Sequence, residues 1–360
     1  MKIFAFGSSI TSSYWNGAAT YYRGIYRNLA LLGHCITFAE PDVYGRQQKR
    51  DAGDYSYVES LVYNTPADLP EMFAKAARAD LIVKHSGVGA DDAELEFAVA
   101  RRIETDALRA FWDVDAPATL VRVERDCADP FRRLIPDYDF VFTYGGGPPV
   151  IEHYLRLGAR NCHPIYNALD PATHHPDAKD LALDCDLLLV ANRLPDRERR
   201  VEEFFIKAAQ LAPDLRFVLG GEGWGGKLLP TNIRRIGHVS TGDHNRVNCS
   251  ARIVLNLNRD SMANVGFSPP TRVFEAAGAA ACLVTDAWTG IESFFEPGRE
   301  ILVARSAQEI VHLLRTTTPD HAAKIGLAMR QRALRDHTYS QRAAELSMLL
   351  EQAVRPCAVA

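Results

Sequence analysis

A chain of 360 residues is too long for one ordinary hydrophobic core and suits two domains of similar size. With 47% hydrophobic and 24% charged residues it has the make-up of a globular protein. A formal net charge of −4 argues against a strongly electrostatic nucleic-acid binder, so no nucleic-acid partner is expected.

Short apolar runs alternate with helical patterns through the first half, the signature of a parallel sheet. Lys2–Phe6 reads as a strand and Tyr21–Leu32 as the helix after it; Gly33-His34 stops that helix before a second strand, Cys35–Ala39. Met72–Arg78 reads as helix, Leu81–Lys84 as strand, and Asp91–Arg102 as a helix whose acidic start suits the helix dipole. Leu108–Trp112, Phe140–Tyr144 and His163–Tyr166 are further strand candidates. Around Asn167–Asp180 the pattern dissolves into Pro171, His174, His175 and Pro176, which reads as a linker.

The alternation then restarts. Leu187–Ala191 is a strand followed by an arginine-rich helix, Arg197–Leu211, and further strands read at Phe217–Leu219, Ile233–Ile236, Ile253–Leu257, Cys282–Thr285 and Ile301–Val303. Helices are expected at Thr271–Ala280, Ala307–Arg315, His321–Arg335 and Ser340–Val354. Two such alternations imply an α/β protein of two Rossmann-like domains facing each other across a cleft, with ligands outside the carboxyl ends of the strands. The expected division is residues 1–167 on the acceptor side, 168–339 on the donor side, and a terminal helix within 340–360 returning to the first domain.

The seven cysteines are scattered and never in CxxC spacing, suggesting neither a zinc site nor a disulfide framework. The chain starts directly on a strand, and no apolar run approaches the roughly 20 residues that span a bilayer. A cytoplasmic protein with no transmembrane segment is expected.

Several strand ends carry residues suited to chemistry. After the first strand comes a loop rich in small and hydroxyl residues, with Ser9, Thr11, Ser12, Ser13, Asn16 and Gly17; such a loop can bring backbone N–H groups to an anion or a sugar, or simply start a helix. The dinucleotide pattern GxGxxG is absent from it. His85 follows a strand and is a candidate base or sugar-hydroxyl partner. Asp113 and Asp115 end another strand ahead of Pro117, where a carboxylate can take the proton of an attacking hydroxyl or merely cap a helix. Asp115, lying further beyond the strand, is the preferred base.

In the second half Arg193 stands just past a strand, and its planar fork suits phosphate. His238 and Val239 end another strand, where backbone groups can read a nucleobase edge. Ser268-Pro269-Pro270 leads into a helix presenting free N–H groups to a diphosphate, with Arg272 and Glu275 on one face near its start. Arg272 can neutralise phosphate and Glu275 can accept from ribose hydroxyls; the alternative is a surface ion pair.

Arg272-Val273-Phe274-Glu275, Gly278, Glu292 through Gly298, Glu300 through Val303 and His337 through Arg342 together resemble the C-terminal domain of the CgeB-like, spore-maturation glycosyltransferases. Thr11-Ser12-Ser13, Asn16-Gly17 and Gly33-His34 are similar to the same group. The resemblance implies a GT-B fold of the glycosyl transferase group 1 type, with Glu275 on the donor ribose and Arg193 on the diphosphate. At the spacing of the Glu-x7-Glu pair of many retaining relatives, Phe267 stands where the first glutamate would be, so the stereochemical course stays open.

The expectation is therefore a hexosyltransferase-type enzyme that moves sugar from a UDP- or dTDP-type donor to a hydroxyl acceptor on a glycan, protein or small molecule. It needs no cofactor and no metal. A nucleotide-sugar epimerase of the same architecture, or a catalytically silent nucleotide-sugar-binding protein, would share these features.

Overall fold

The computed structural model describes residues 1–354; Cys357 and the rest of the expected 340–360 segment beyond 354 lie outside the described residues. The chain divides into two compact units. The first comprises Met1–Asn167 together with the C-terminal helix Tyr339–Val354, and the second comprises Ala168–Thr338.

In the first unit the strands are β1 (Lys2–Phe6), β2 (Cys35–Pro41), β3 (Val58–Tyr63), β4 (Leu81–His85), β5 (Leu108–Asp113), β6 (Phe140–Thr143) and β7 (Cys162–Pro164). They form one sheet in the order β3-β2-β1-β4-β5-β6-β7, with every pairing parallel. Strands covered on both faces are mostly apolar, and β4 and β6 are buried along their whole length, β4 with Lys84 and His85 at its carboxyl end. The edge strand β3 is mostly half-exposed and breaks that pattern, which is why its sequence does not announce it.

Proline sets two helix starts. Pro117 ends the extended chain after β5 and stands in the first turn of the helix Ala116–Arg125. Pro148 and Pro149 do the same for Gly147–Arg156. The helix Ala19–Leu31 ends where Gly33 takes a φ of +88°, with the His34 N–H donating back to the Leu29 carbonyl. Against it lies Tyr339–Val354. A Cβ on Gly24 would stand 2.3 Å from the Tyr339 ring, and His34 Nε2 is 2.9 Å from Ser347 Oγ. The apolar stripe of this last helix (Ala343, Leu346, Leu350) is buried there.

The second unit repeats the plan. Its strands are β8 (Cys185–Val190), β9 (Phe217–Gly220), β10 (Ile233–Gly237), β11 (Ala251–Asn256), β12 (Leu283–Asp286) and β13 (Leu302–Ala304), ordered β10-β9-β8-β11-β12-β13 and all parallel. Leu187, Leu189, Phe205, Phe217, Ile253, Leu255, Ile310 and Leu314 meet in one core. Each sheet reverses its order beside its first strand, at β1/β4 in the first unit and at β8/β11 in the second, and open sheets of this kind bind ligands outside the strand ends at such a reversal. Among the described residues no helix is long and apolar enough to cross a membrane.

Candidate functional site

In the second unit the rim of the sheet gathers one compact group. The helix Thr271–Gly278 starts after Pro270, whose ring carries no hydrogen-bond acceptor, so the N-cap position supplies no side-chain cap. Upstream the short helix Asp260–Val265 is closed by Gly266 and Phe267, both at positive φ, and the buried Ser268 donates its hydroxyl to the Gly266 carbonyl 2.9 Å away. That tight turn aims the start of the Thr271 helix at the rim.

Arg272 and Glu275 line a small pocket together with Val190, Val239, His244 and Asn248. Arg272 makes no hydrogen bond or ion pair among the described residues. Its charge is felt by Glu275, as are those of His244, with Nδ1 3.6 Å from Glu275 Oε2, and of His174. Burial pushes the Glu275 carboxyl up, and these three neighbours outweigh it and hold the group below its ordinary value. Glu275 therefore stays an acceptor-only carboxylate through mildly acidic solution. His174 is held below its ordinary value by burial, with Glu275 opposing.

The other donor-side candidates separate. Val239 is buried on the pocket wall while His238 beside it is exposed. Arg193 is engaged: its guanidinium donates to Glu198 Oε1 at 2.7 Å, and its backbone N–H to the Glu222 carbonyl. Trp224, donating to the Ala191 carbonyl at 2.7 Å, pins the glycine-rich loop after β9 against the same segment. Of the arginines that follow, Arg200 is the structural one, paired at 2.7 Å with the buried Asp286 and at 2.6 Å with Asp260. Arg199 is a solvated side chain.

In the first unit the loop after β1 is held by its own polar groups. Glu40 takes the Ile10 N–H at 2.6 Å and the Thr11 hydroxyl at 2.8 Å. Asn16 donates to the carbonyls of Ser9 and Ser12 and accepts from Ser8, Ser12 donates to the Lys49 carbonyl, and Ser13 to Asp51. Gly17 and Trp15 are exposed, Trp15 by 60%.

His85 is fully buried among Tyr22, Tyr26, Phe38 and Trp112, its Nε2 2.6 Å from the Tyr26 hydroxyl. Asp113 is also buried and accepts from Ser86, Tyr154 and the Asp115 N–H. Asp115 is half-buried at the N-cap of Ala116–Arg125. The structure thus gives His85 and Asp113 interior partners and leaves Asp115 nearest solvent.

Two residues beside Glu275 escaped sequence reading as site residues. His174 sits in a stretch that reads as linker, and His244 opens the helix His244–Ser250, which carries no strong periodicity. The signal for both was only their type.

Residues 197–347 match the family model described as glycosyl transferase-like. Anabaena HepE in complex with UDP superposes with a TM-score of 0.71 at 14% identity, covering 98% of this chain and 100% of that one. The fold is GT-B. Sucrose-phosphate synthase from Thermosynechococcus elongatus superposes with a TM-score of 0.68 at 14% identity, covering 98% and 99% of the two chains. An alpha-glucosyltransferase in complex with UDP reaches a TM-score of 0.70 at 9% identity, over 98% and 100%. No curated protein matches the chain in sequence. The chain thus has the GT-B fold, and its glycosyl transferase-like match over residues 197–347 lies mostly in the second unit.

Proposed function

We propose that the protein transfers a sugar from a UDP-type nucleotide donor to a hydroxyl acceptor without a catalytic metal, in the manner of the CgeB-like group it resembles. One observation carries the reading: a buried, ionised Glu275 and an unpaired Arg272 share a pocket at the uncapped start of the Thr271 helix. A carboxylate suits the two ribose hydroxyls, while a guanidinium beside a helix N-terminus suits a diphosphate. The choice of UDP is supported by the titles of the similar structures, HepE with UDP and with UDP-glucose and the alpha-glucosyltransferase with UDP.

The chemistry follows from charge. As the glycosidic bond to the diphosphate breaks, negative charge grows on the departing oxygen. Arg272 and the helix N-terminus stabilise that charge more in the transition state than in the ground state. Val239 at the pocket wall offers backbone groups to the base. In the first unit Asp115 is the proposed base for the acceptor hydroxyl. Arg193 joins the phosphate site only by releasing Glu198. The six described cysteines are free, which supports a reducing, cytoplasmic setting.

Titration calorimetry with UDP, dTDP, GDP and CMP, each with and without EDTA, tests the donor, and release of UDP from UDP-glucose with a hydroxyl acceptor tests transfer. Binding of UDP unaffected by EDTA, and lost in Glu275→Ala, is expected. Equal affinity of Glu275→Ala and the native chain for UDP would sink the reading. Interconversion of free UDP-sugars without an acceptor would make the protein an epimerase instead.

A further inference from the structure

His174, His244 and Glu275 each offer one ligand atom, and the three atoms lie within 4.8 Å of one another. They come from three separate stretches of the second unit, so their convergence is a product of packing rather than of sequence. Asn245 ties two of those stretches together: its Nδ2 donates to the Thr173 carbonyl at 2.9 Å, and its Oδ1 accepts the His175 N–H. Gly278 brings in the third. A Cβ there would meet the His174 carbonyl at 2.5 Å and the His174 Cβ at 2.7 Å, so the absence of a side chain lets the His174 loop lie directly on the Thr271 helix.

The imidazoles so placed are not satisfied. His174 is 2% exposed and its Nε2 has no hydrogen-bond partner, and neither has the buried Nδ1 of His244. Unlike the orphaned nitrogens of His34 and His85, these two lie beside a carboxylate and within ligating reach of one another.

We propose that His174, His244 and Glu275 form a binding site for a transition-metal dication of the Zn²⁺ class. Two imidazoles and one carboxylate are a borderline N/O donor set that suits zinc and disfavours magnesium or calcium, which take mostly oxygen. Tetrahedral Zn–N and Zn–O bonds near 2.0–2.1 Å place neighbouring ligand atoms about 3.3 Å apart, so each ligand atom must close by roughly 1 Å, within reach of side-chain rotation. Three protein ligands leave a fourth position open toward the pocket. The site stands on this geometry alone. Its consequence rests on the donor reading above: the ion and the donor ribose compete for the Glu275 carboxylate, so the metal acts as a brake and not as a catalyst.

The test uses the untagged full chain, stripped of metal by EDTA and dialysed. Zn²⁺ calorimetry and the visible absorption of added Co²⁺ are both expected to report one ion per chain with nitrogen ligation. His174→Ala, His174→Gln and His244→Ala should each weaken Zn²⁺ by tenfold or more, while His312→Ala, at an exposed histidine, leaves it unchanged. Circular dichroism on each variant checks that the fold is kept. No binding of Zn²⁺, or binding equally strong in the folded His174→Gln and His244→Ala variants, overturns the site. Adding Zn²⁺ should weaken UDP by a factor that grows with metal concentration. Zinc binding that depends on both histidines yet leaves UDP affinity unchanged supports the site and overturns the shared carboxylate, and with it the assignment of ribose to Glu275.

Discussion

The loop after β1 and the rim around the Thr271 helix occupy equivalent places, each at the reversal of strand order in its own sheet, and both are rich in polar residues. They spend that polarity differently. Around the first, Glu40, Asn16 and the hydroxyls of Ser8, Thr11, Ser12 and Ser13 bond one another, Asp51 or nearby backbone, and Arg46 donates to the Ser8 and Trp15 carbonyls, although its Nε and the Tyr22 hydroxyl are orphaned. Around the second, Arg272 has no partner among the described residues, and His174 and His244 each keep an orphaned nitrogen. Burying such groups unsatisfied is costly. A rim that bears the cost without an internal partner is one prepared for something from outside. Hydroxyl-rich sequence therefore marks a built loop, and unpartnered charge marks the better site.

The largest effect separates Asp113 from Asp115. With Asp115 as the acceptor's base, Asp115→Asn should slow transfer by roughly 10²- to 10⁴-fold while leaving UDP affinity and the melting temperature near native. Asp113→Asn should instead lower the melting temperature, because a buried acceptor of three hydrogen bonds becomes partly a donor. Near-native turnover in Asp115→Asn moves the base elsewhere in the first unit. Next in size, Arg272→Ala and Glu275→Ala should each weaken UDP roughly 10- to 100-fold by calorimetry, as the loss of a charge-assisted hydrogen bond implies. Arg193→Ala should cost less, since that guanidinium already serves Glu198.

Much of the fold was legible because buried parallel strands are mostly apolar, and β1, β4, β8 and β11 announce themselves. The edge strand β3 did not, since Glu59 and Val62 point to solvent and the strand's periodicity is diluted. The helix Ala116–Arg125 was hidden behind Pro117, which stops a strand and starts a helix with equal ease. At the site, Arg272 and Glu275 could be read from their spacing at a proline-led helix start. His174 and His244 could not, because their meeting depends on Asn245 and Gly278 folding a linker onto a helix. Local pattern carries no trace of such a contact. Nor does it distinguish an engaged arginine from a free one: Arg193 and Arg272 look alike in sequence and differ only in having Glu198 at hand.

A smaller effect probes the self-satisfied loop. Glu40 is fully buried and accepts from Ile10, Thr11 and Gln47. Glu40→Gln sets an NH2 group against at least one of those donors, and urea unfolding should show a loss of about 1–3 kcal/mol. UDP affinity of the folded fraction should not move. If it falls together with stability, the loop is part of the donor site and the contrast between the two rims breaks.

The smallest effect is a pH slope from His85. Burial among aromatic rings pushes its pKa well below the ordinary value, with the Lys84 charge adding to the shift, so the folded chain keeps the ring neutral while the unfolded chain protonates it near pH 6.5. The unfolded state then binds more protons, and stability must fall as pH drops below about 6.5, by at most about 1.4 kcal/mol per pH unit from this one group. The loss ends only once the pH passes below the depressed folded value. His85→Gln keeps a polar partner for the Tyr26 hydroxyl and cannot titrate. Denaturant unfolding of the two proteins at pH 7.5 and pH 5.5 should show a steeper fall for the native chain than for the variant. A general base has to exchange protons with solvent during turnover, whereas a ring sealed in this way pays for its burial only when acid unfolds the chain. If His85→Gln keeps the full acid sensitivity but loses transfer at pH 7.5, then the histidine belongs to the chemistry and the first unit's interior is less closed than its contacts imply.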